Sequence, residues 1–268
     1  MARKASPRKN VVTPSRVGDT EPPIPFALPR VSKAKIARAL ELLAELREHY
    51  PTAHCELNFT SPHELLVATI LSAQATDVGV NKATPALFAR FPTPADYAAS
   101  SPAEIEPYIQ SIGLYRNKAK AIHAAMSAVV QEFGGEVPRT MDELLTLRGV
   151  ARKTANVVLG NAFGINAGFV VDTHIERLAK RFDLAPQDAS VQQVEHHLMA
   201  LFPRDAWCDA SHMLIWHGRR ACKARMACCA DHPICTRFGT RCELKREGTR
   251  RAKKATAQSP ETPSGRAK

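Results

Sequence analysis

Five cysteines, Cys222, Cys228, Cys229, Cys235 and Cys242, fall within 21 residues of a 268-residue chain that has seven in all. Thiols this crowded, in a chain of this size with no apolar leader, point to a metal rather than to a disulfide framework. A set of four thiolates suits an iron–sulfur cluster and tetrahedral zinc alike. Cys55 and Cys208 stand apart and read as core residues. Upstream lies Leu147-Arg148-Gly149-Val150-Ala151-Arg152-Lys153-Thr154-Ala155. A short helix over 141–147 meets a tight glycine turn there, and a second helix opens near Arg152. Backbone N–H groups and the positive dipole end of that second helix suit a phosphate. Two antiparallel helices around such a turn can grip a DNA backbone without reading its sequence. Farther on, Val170-Val171-Asp172-Thr173-His174 sets Asp172 ahead of a helix whose Ile175, Leu178, Ala179 and Phe182 share one face. Taken alone, Asp172 is a plain N-cap and Lys153 a solvated helix lysine.

The elements that must hold these residues are helices. Ile36, Leu40, Leu43 and Tyr50 keep helical spacing, and Ala39 and Leu46 widen the stripe. Ser61-Pro62-His63-Glu64 combines an N-cap, a proline at the first helical position and a glutamate able to close a capping box. The device returns at Thr93-Pro94-Ala95-Asp96 and Ser101-Pro102-Ala103-Glu104, and without proline at Thr140–Glu143 and Ser190–Gln193. Ile122, Met126, Val129, Val130 and Phe133 line a long helix that Gly134-Gly135 stops. No period-2 run occurs, so the fold is expected to be all-α, with roughly ten short helices.

Hydrophobic residues make up 44% of the chain, enough for a packed core. No apolar run approaches the ~20 residues of a membrane span. A soluble intracellular protein is expected. The net charge of +11 sits mostly at the ends: residues 1–30 carry six basic and two acidic side chains, and residues 243–268 carry eight and three. Basic ends suit polyanions and also suit simple solvation. Pro22-Pro23-Ile24-Pro25 excludes a helix in the first of them.

Several ordered segments resemble the endonuclease III family of helix-hairpin-helix DNA glycosylases. They are Leu71-Ser72-Ala73-Gln74-Ala75-Thr76-Asp77, Ile112-Gly113-Leu114-Tyr115, Arg152-Lys153-Thr154-Ala155-Asn156-Val157-Val158, Val171-Asp172-Thr173-His174 and His217-Gly218-Arg219. The likeness runs from about Ile36 to Cys242. It implies a two-lobed helix-hairpin-helix glycosylase fold with a C-terminal iron–sulfur cluster loop. Residues 55–166 would form a six-helix lobe, and 32–54 plus 167–242 a cluster lobe, with the active site between them. Residues 1–31 and 243–268 would be flexible basic tails.

The resemblance also implies roles. Lys153 stands where the family keeps its nucleophile and Asp172 where it keeps its essential aspartate. Arg148, Gly149, Val150, Ala151 and Arg152 would meet the DNA backbone. Gln74, Ile112 and Leu114 would fill the stack left by an extruded base. A [4Fe–4S] cluster is expected on Cys222, Cys229, Cys235 and Cys242, with Cys228 a contender for the second site. The family spacing is Cys-x6-Cys-x2-Cys-x5-Cys; here His232 holds the x2 position and Phe238 the x5 position. Arg148 and Ala151 also depart from the family's proline and second glycine, and a positive φ at Ala151 would be strained. Desolvation beside Arg152 would lower the Lys153 pKa.

These expectations describe a bifunctional glycosylase and β-lyase acting on oxidised pyrimidines in duplex DNA, working as a monomer in the cytoplasm near the nucleoid. Damaged bases or abasic sites in duplex DNA are the expected partners, with no membrane. A monofunctional glycosylase is disfavoured by Lys153. A plain abasic-site lyase stays open, and a non-catalytic DNA-binding module with a structural metal would need neither Lys153 nor Asp172.

Overall fold

Hydroxyl residues ahead of the apolar runs start the helices as their spacing predicts. In the computed structural model, residues 21–225 and 231–241 are described, and among them all regular structure is helical. The first helices are α1 (Lys33–His49), α2 (Pro62–Ser72), α3 (Asp77–Arg90), α4 (Pro94–Ala98), α5 (Pro102–Ile109) and α6 (Tyr115–Phe133). They are followed by α7 (Met141–Thr146), α8 (Arg152–Val158), α9 (Thr173–Arg181), α10 (Val191–Leu201), α11 (Trp207–Arg220) and α12 (Pro233–Phe238). A π-helical turn, Leu159–Phe163, continues α8.

Thr93 and Ser190 form complete capping boxes with Asp96 and Gln193. At Ser61 the expected box is not made. Its Oγ accepts from Glu64 N, while the Glu64 carboxylate takes the N–H and hydroxyl of Thr60 instead. Gly134 and Gly135 stop α6 with φ of 61° and 88°. The stripe on α1 also needs correction: Leu40 is exposed, and the buried face is Ala39, Leu42, Leu43 and Leu46. At about 100° per residue those four centre one face, and Leu40 falls well off it.

The described residues divide into two units. Residues 21–28, 54–170 and 203–212 form the first, and 29–53, 171–202, 213–225 and 231–241 the second. In the first, α2, α4 and α5 pack on α6 around Leu65, Leu66, Leu71, Tyr97, Ile122 and Met126. In the second, α1 packs on α10 and α12, with Leu42, Leu46, Val194, Leu198, Ile234 and Phe238 buried.

Two boundaries differ from expectation. Residues 203–212 join the first unit because Arg204 Nε donates to Asn166 O at 2.9 Å and Cys208 N donates to Asn166 Oδ1 at 3.1 Å. Residues 21–28, expected in a flexible tail, are held as well. Glu21 pairs with Arg204 at 2.9 Å, and the Arg152 guanidinium lies 5.1 Å from the centre of the Phe26 ring. No helix among the described residues is long and apolar enough to cross a membrane.

Candidate active site and metal pocket

The hairpin between α7 and α8 is built on one glycine. Gly149 has φ of 85°, and a Cβ there would lie 3.0 Å from the Ala121 Cβ, so both conformation and space call for glycine. Val150 N donates to Leu147 O at 3.1 Å and closes the turn. Ala151 is the N-cap of α8 with φ of −99° and ψ of 169°, ordinary extended backbone, so the strain expected there is absent. The Ala151 side chain makes no capping hydrogen bond to α8. Arg148 and Lys153 are exposed and Arg152 is half-buried under Phe26. The exposure of Lys153 replaces the desolvated setting expected for it. The Val150 side chain packs in the core.

Two turns elsewhere in this unit hold non-glycine residues in the left-handed region. Ala73 (φ −57°, ψ 116°) and Gln74 (φ 54°) are the centre of a type II turn closed by Ala75 N donating to Ser72 O at 3.0 Å. Gln74 occupies the position that glycine normally takes and is exposed. Leu114 is the N-cap of α6 with φ of 60° and is 60% exposed. Ile112 is 3% exposed and packs in the core, so its expected surface role passes to Leu114. Strained backbone of this kind costs about 1–3 kcal/mol per residue, and it collects at functional sites.

In the second unit, Asp172 caps α9. Its Oδ1 accepts from His174 N at 2.9 Å and from Ile175 N at 2.8 Å, leaving Oδ2 without a partner among the described residues. The α9 helix then meets the thiols. Arg181 Nη1 donates to Cys222 Sγ at 3.1 Å and to Lys223 O at 2.9 Å. Arg177 Nη2 donates to the carbonyls of Gly218 and Cys222 at 3.0 and 2.9 Å. Gly218 allows this approach, since a Cβ there would stand 2.9 Å from the His174 Cβ.

Ligand atoms of His217, Cys222 and Cys235, all buried, lie within 4.8 Å of one another. The Tyr50 hydroxyl is 2.8 Å from His217 Nδ1, and His217 Nε2 is 3.2 Å from Cys235 Sγ. With the tyrosine proton given to Nδ1, Nε2 carries the hydrogen and donates to the sulfur. A hydrogen bond from Cys235 holds the Cys222 thiol far below its ordinary pKa, helped by His217 and Arg181 and opposed by burial. Burial, then the charge at Cys235, pushes Tyr50 up to about 12. A buried Cys222 held toward the thiolate, with Cys235 and His217 beside it, fits a metal group. Cys228, Cys229 and Cys242 lie outside the described residues.

Residues 67–204 match the family model described as HhH-GPD superfamily base excision DNA repair protein. The chain is 50% identical to endonuclease III of Synechocystis sp. over 205 residues, 76% of this chain and 93% of that protein. It is 46% identical to endonuclease III of Escherichia coli over 195 residues, 73% of this chain and 92% of the relative. The chain belongs to the endonuclease III family. A solved endonuclease III–DNA covalent intermediate, 43% identical, superposes with a TM-score of 0.73 over 83% of this chain and all of that one. A thermostable thymine-DNA glycosylase, 20% identical, shares the fold with a TM-score of 0.67.

Within this endonuclease III family member, His217, Tyr50 and Arg181 are pocket residues that spacing alone does not single out. A histidine five positions before the first clustered cysteine is the one local signal for His217.

Proposed function

We propose that this chain is a bifunctional DNA glycosylase and abasic-site lyase that removes oxidised pyrimidines from duplex DNA during base excision repair. The observation that carries the reading is Lys153: an exposed amine on the first turn of an uncapped helix, behind a glycine-built hairpin, in a chain of this family. The hairpin backbone and Arg148 hold phosphates without reading sequence. The damaged nucleotide leaves the stack, with Gln74 and Leu114 filling the gap. Neutral Lys153 Nζ attacks the sugar C1′ as the bond to the base breaks, and the base departs with a proton. The C1′–O4′ bond then opens, O4′ taking up a proton from water, and the iminium so formed acidifies C2′. Loss of the C2′ proton expels the 3′ phosphate as the C3′–O bond breaks. The Asp172 carboxylate stabilises the cationic sugar through Oδ2 while Oδ1 keeps its cap.

Cys222, Cys229, Cys235 and Cys242 hold a [4Fe–4S] cluster in this reading. When bound, the cluster supplies folding energy to the loop that carries it. Arg181 donates to the Cys222 sulfur and His217 to the Cys235 sulfur. The enzyme acts as a monomer in the cytoplasm on nucleoid DNA.

Borohydride trapping on duplexes carrying thymine glycol or an abasic site tests the proposal. Wild type should trap on both, and Lys153→Ala should trap on neither while still binding duplex. Trapping by Lys153→Ala at the wild-type level overturns the nucleophile. Trapping of wild type on the abasic site alone reduces the activity to a lyase.

A further inference from the structure

Lys118 is 6% exposed, and its ammonium has one hydrogen-bond acceptor among the described residues, Leu71 O at 2.9 Å. Burying an ammonium is costly, and an apolar side chain would pack α6 against α2 at less expense. The acceptor explains its presence. Leu71 lies in the last turn of α2, where four carbonyls lack helical partners. Ser72 Oγ donates to Thr69 O at 2.8 Å, Ala73 N to Ile70 O at 3.4 Å, and Ala75 N to Ser72 O at 3.0 Å. Leu71 O is the fourth, and among the described residues Lys118 is the donor that reaches it. A cation there also opposes the negative end of the helix dipole. The next residues are the type II turn that holds Gln74. Lys118 N, meanwhile, donates to Leu114 O at 3.1 Å, the first hydrogen bond of α6 after the left-handed Leu114.

We propose that Lys118 is a positioning residue: it ties the Gln74 turn to the Leu114 turn, so that the two strained side chains enter the DNA stack as one unit. This rests on the reading of Gln74 and Leu114 as the pair that fills the gap. Both turns spend backbone strain to present a side chain, and each relaxes if its anchor is lost.

The test compares single-turnover borohydride trapping on an abasic site in a paired duplex with the same site inside an unpaired bubble. In the bubble no stacked partner has to be held apart. Lys118→Met keeps the stem and removes the donor. It should slow trapping on the duplex by about tenfold and on the bubble by less than about twofold. A Gln74→Ala/Leu114→Ala variant should show the same selective loss, and adding Lys118→Met to it should bring little more. Equal slowing on both substrates, or full additivity, makes Lys118 a support of the fold alone and overturns the proposal. A selective loss in the double variant but none in Lys118→Met overturns it while sparing the wedge reading. No selective loss in the double variant overturns both. Should Lys118→Met fail to fold, Lys118→Gln, whose shorter stem draws its amide back from Leu71 O, must show the same duplex-selective loss.

Discussion

Asp172 divides its two oxygens between structure and chemistry, and single substitutions separate them. Oδ1 takes the amides of His174 and Ile175, while Oδ2 is uncommitted among the described residues. Asp172→Asn keeps a capping oxygen and removes the charge. Its urea midpoint should stay near wild type while trapping falls steeply. Asp172→Ala should lose trapping and, in addition, about 1 kcal/mol of stability with the cap. An asparagine variant that traps at full rate would take the carboxylate charge out of the mechanism. For Lys153 the local surroundings are plain. It is exposed, so a structural duty inside the protein does not compete with its proposed role.

At the level of elements, α9 and α1 hold the described residues that flank Cys222 and Cys235. Arg181 reaches Cys222, Lys223 and, at 3.1 Å, Ala224 O; Arg38 holds Phe182 O and Phe238 O at 2.9 Å each. Purified protein should be brown, with about four irons per chain. Cys222→Ser and Cys235→Ser should bleach it and lower its thermal midpoint, and Cys228→Ser should leave colour and midpoint unchanged. Colourless, active protein containing zinc would refute the iron–sulfur assignment, and a bleached Cys228→Ser would move the second ligand by one residue. How much of this was legible in the sequence follows from distance along the chain. Helix starts were readable because a cap and its amide lie three residues apart, as at Thr93 and Asp96. The hairpin glycine was readable for the same local reason. Ile112 and Leu114 are alike in type, and only the left-handed backbone at Leu114 decides which one is exposed. Lys118 and Tyr50 were not readable, because their partners lie 47 and 167 residues away.

For the whole molecule, charge and protonation give two predictions. Residues 1–20 carry five basic and one acidic side chain, and residues 247–268 carry six and two. Deleting both stretches should weaken binding to damaged and undamaged duplex by similar factors. The slope of log affinity against log salt should become shallower, with trapping at saturation retained. An unchanged slope would show that these charges do not meet DNA. The cut belongs at residue 20, because residues 21–28 hold Arg204 and Arg152. Protonation acts through His63 and His197, whose pKa values burial lowers from 6.5. The folded chain then binds fewer protons than the unfolded chain. Their contribution is complete above pH 6.5 and is lost as pH falls through the lowered folded values. The urea midpoint should therefore be lower at pH 5.5 than at pH 7.5, and His63→Gln should narrow the gap. An equal midpoint at both pH values would contradict this. The left-handed turns bear on how such a protein evolves or is engineered. Glycine at position 74 or 114 would relieve strain at little local cost, so a library sorted only for heat resistance would drift toward glycine at both. If Gln74 and Leu114 fill the gap as proposed, its survivors would be hardier proteins that no longer prise open a base pair.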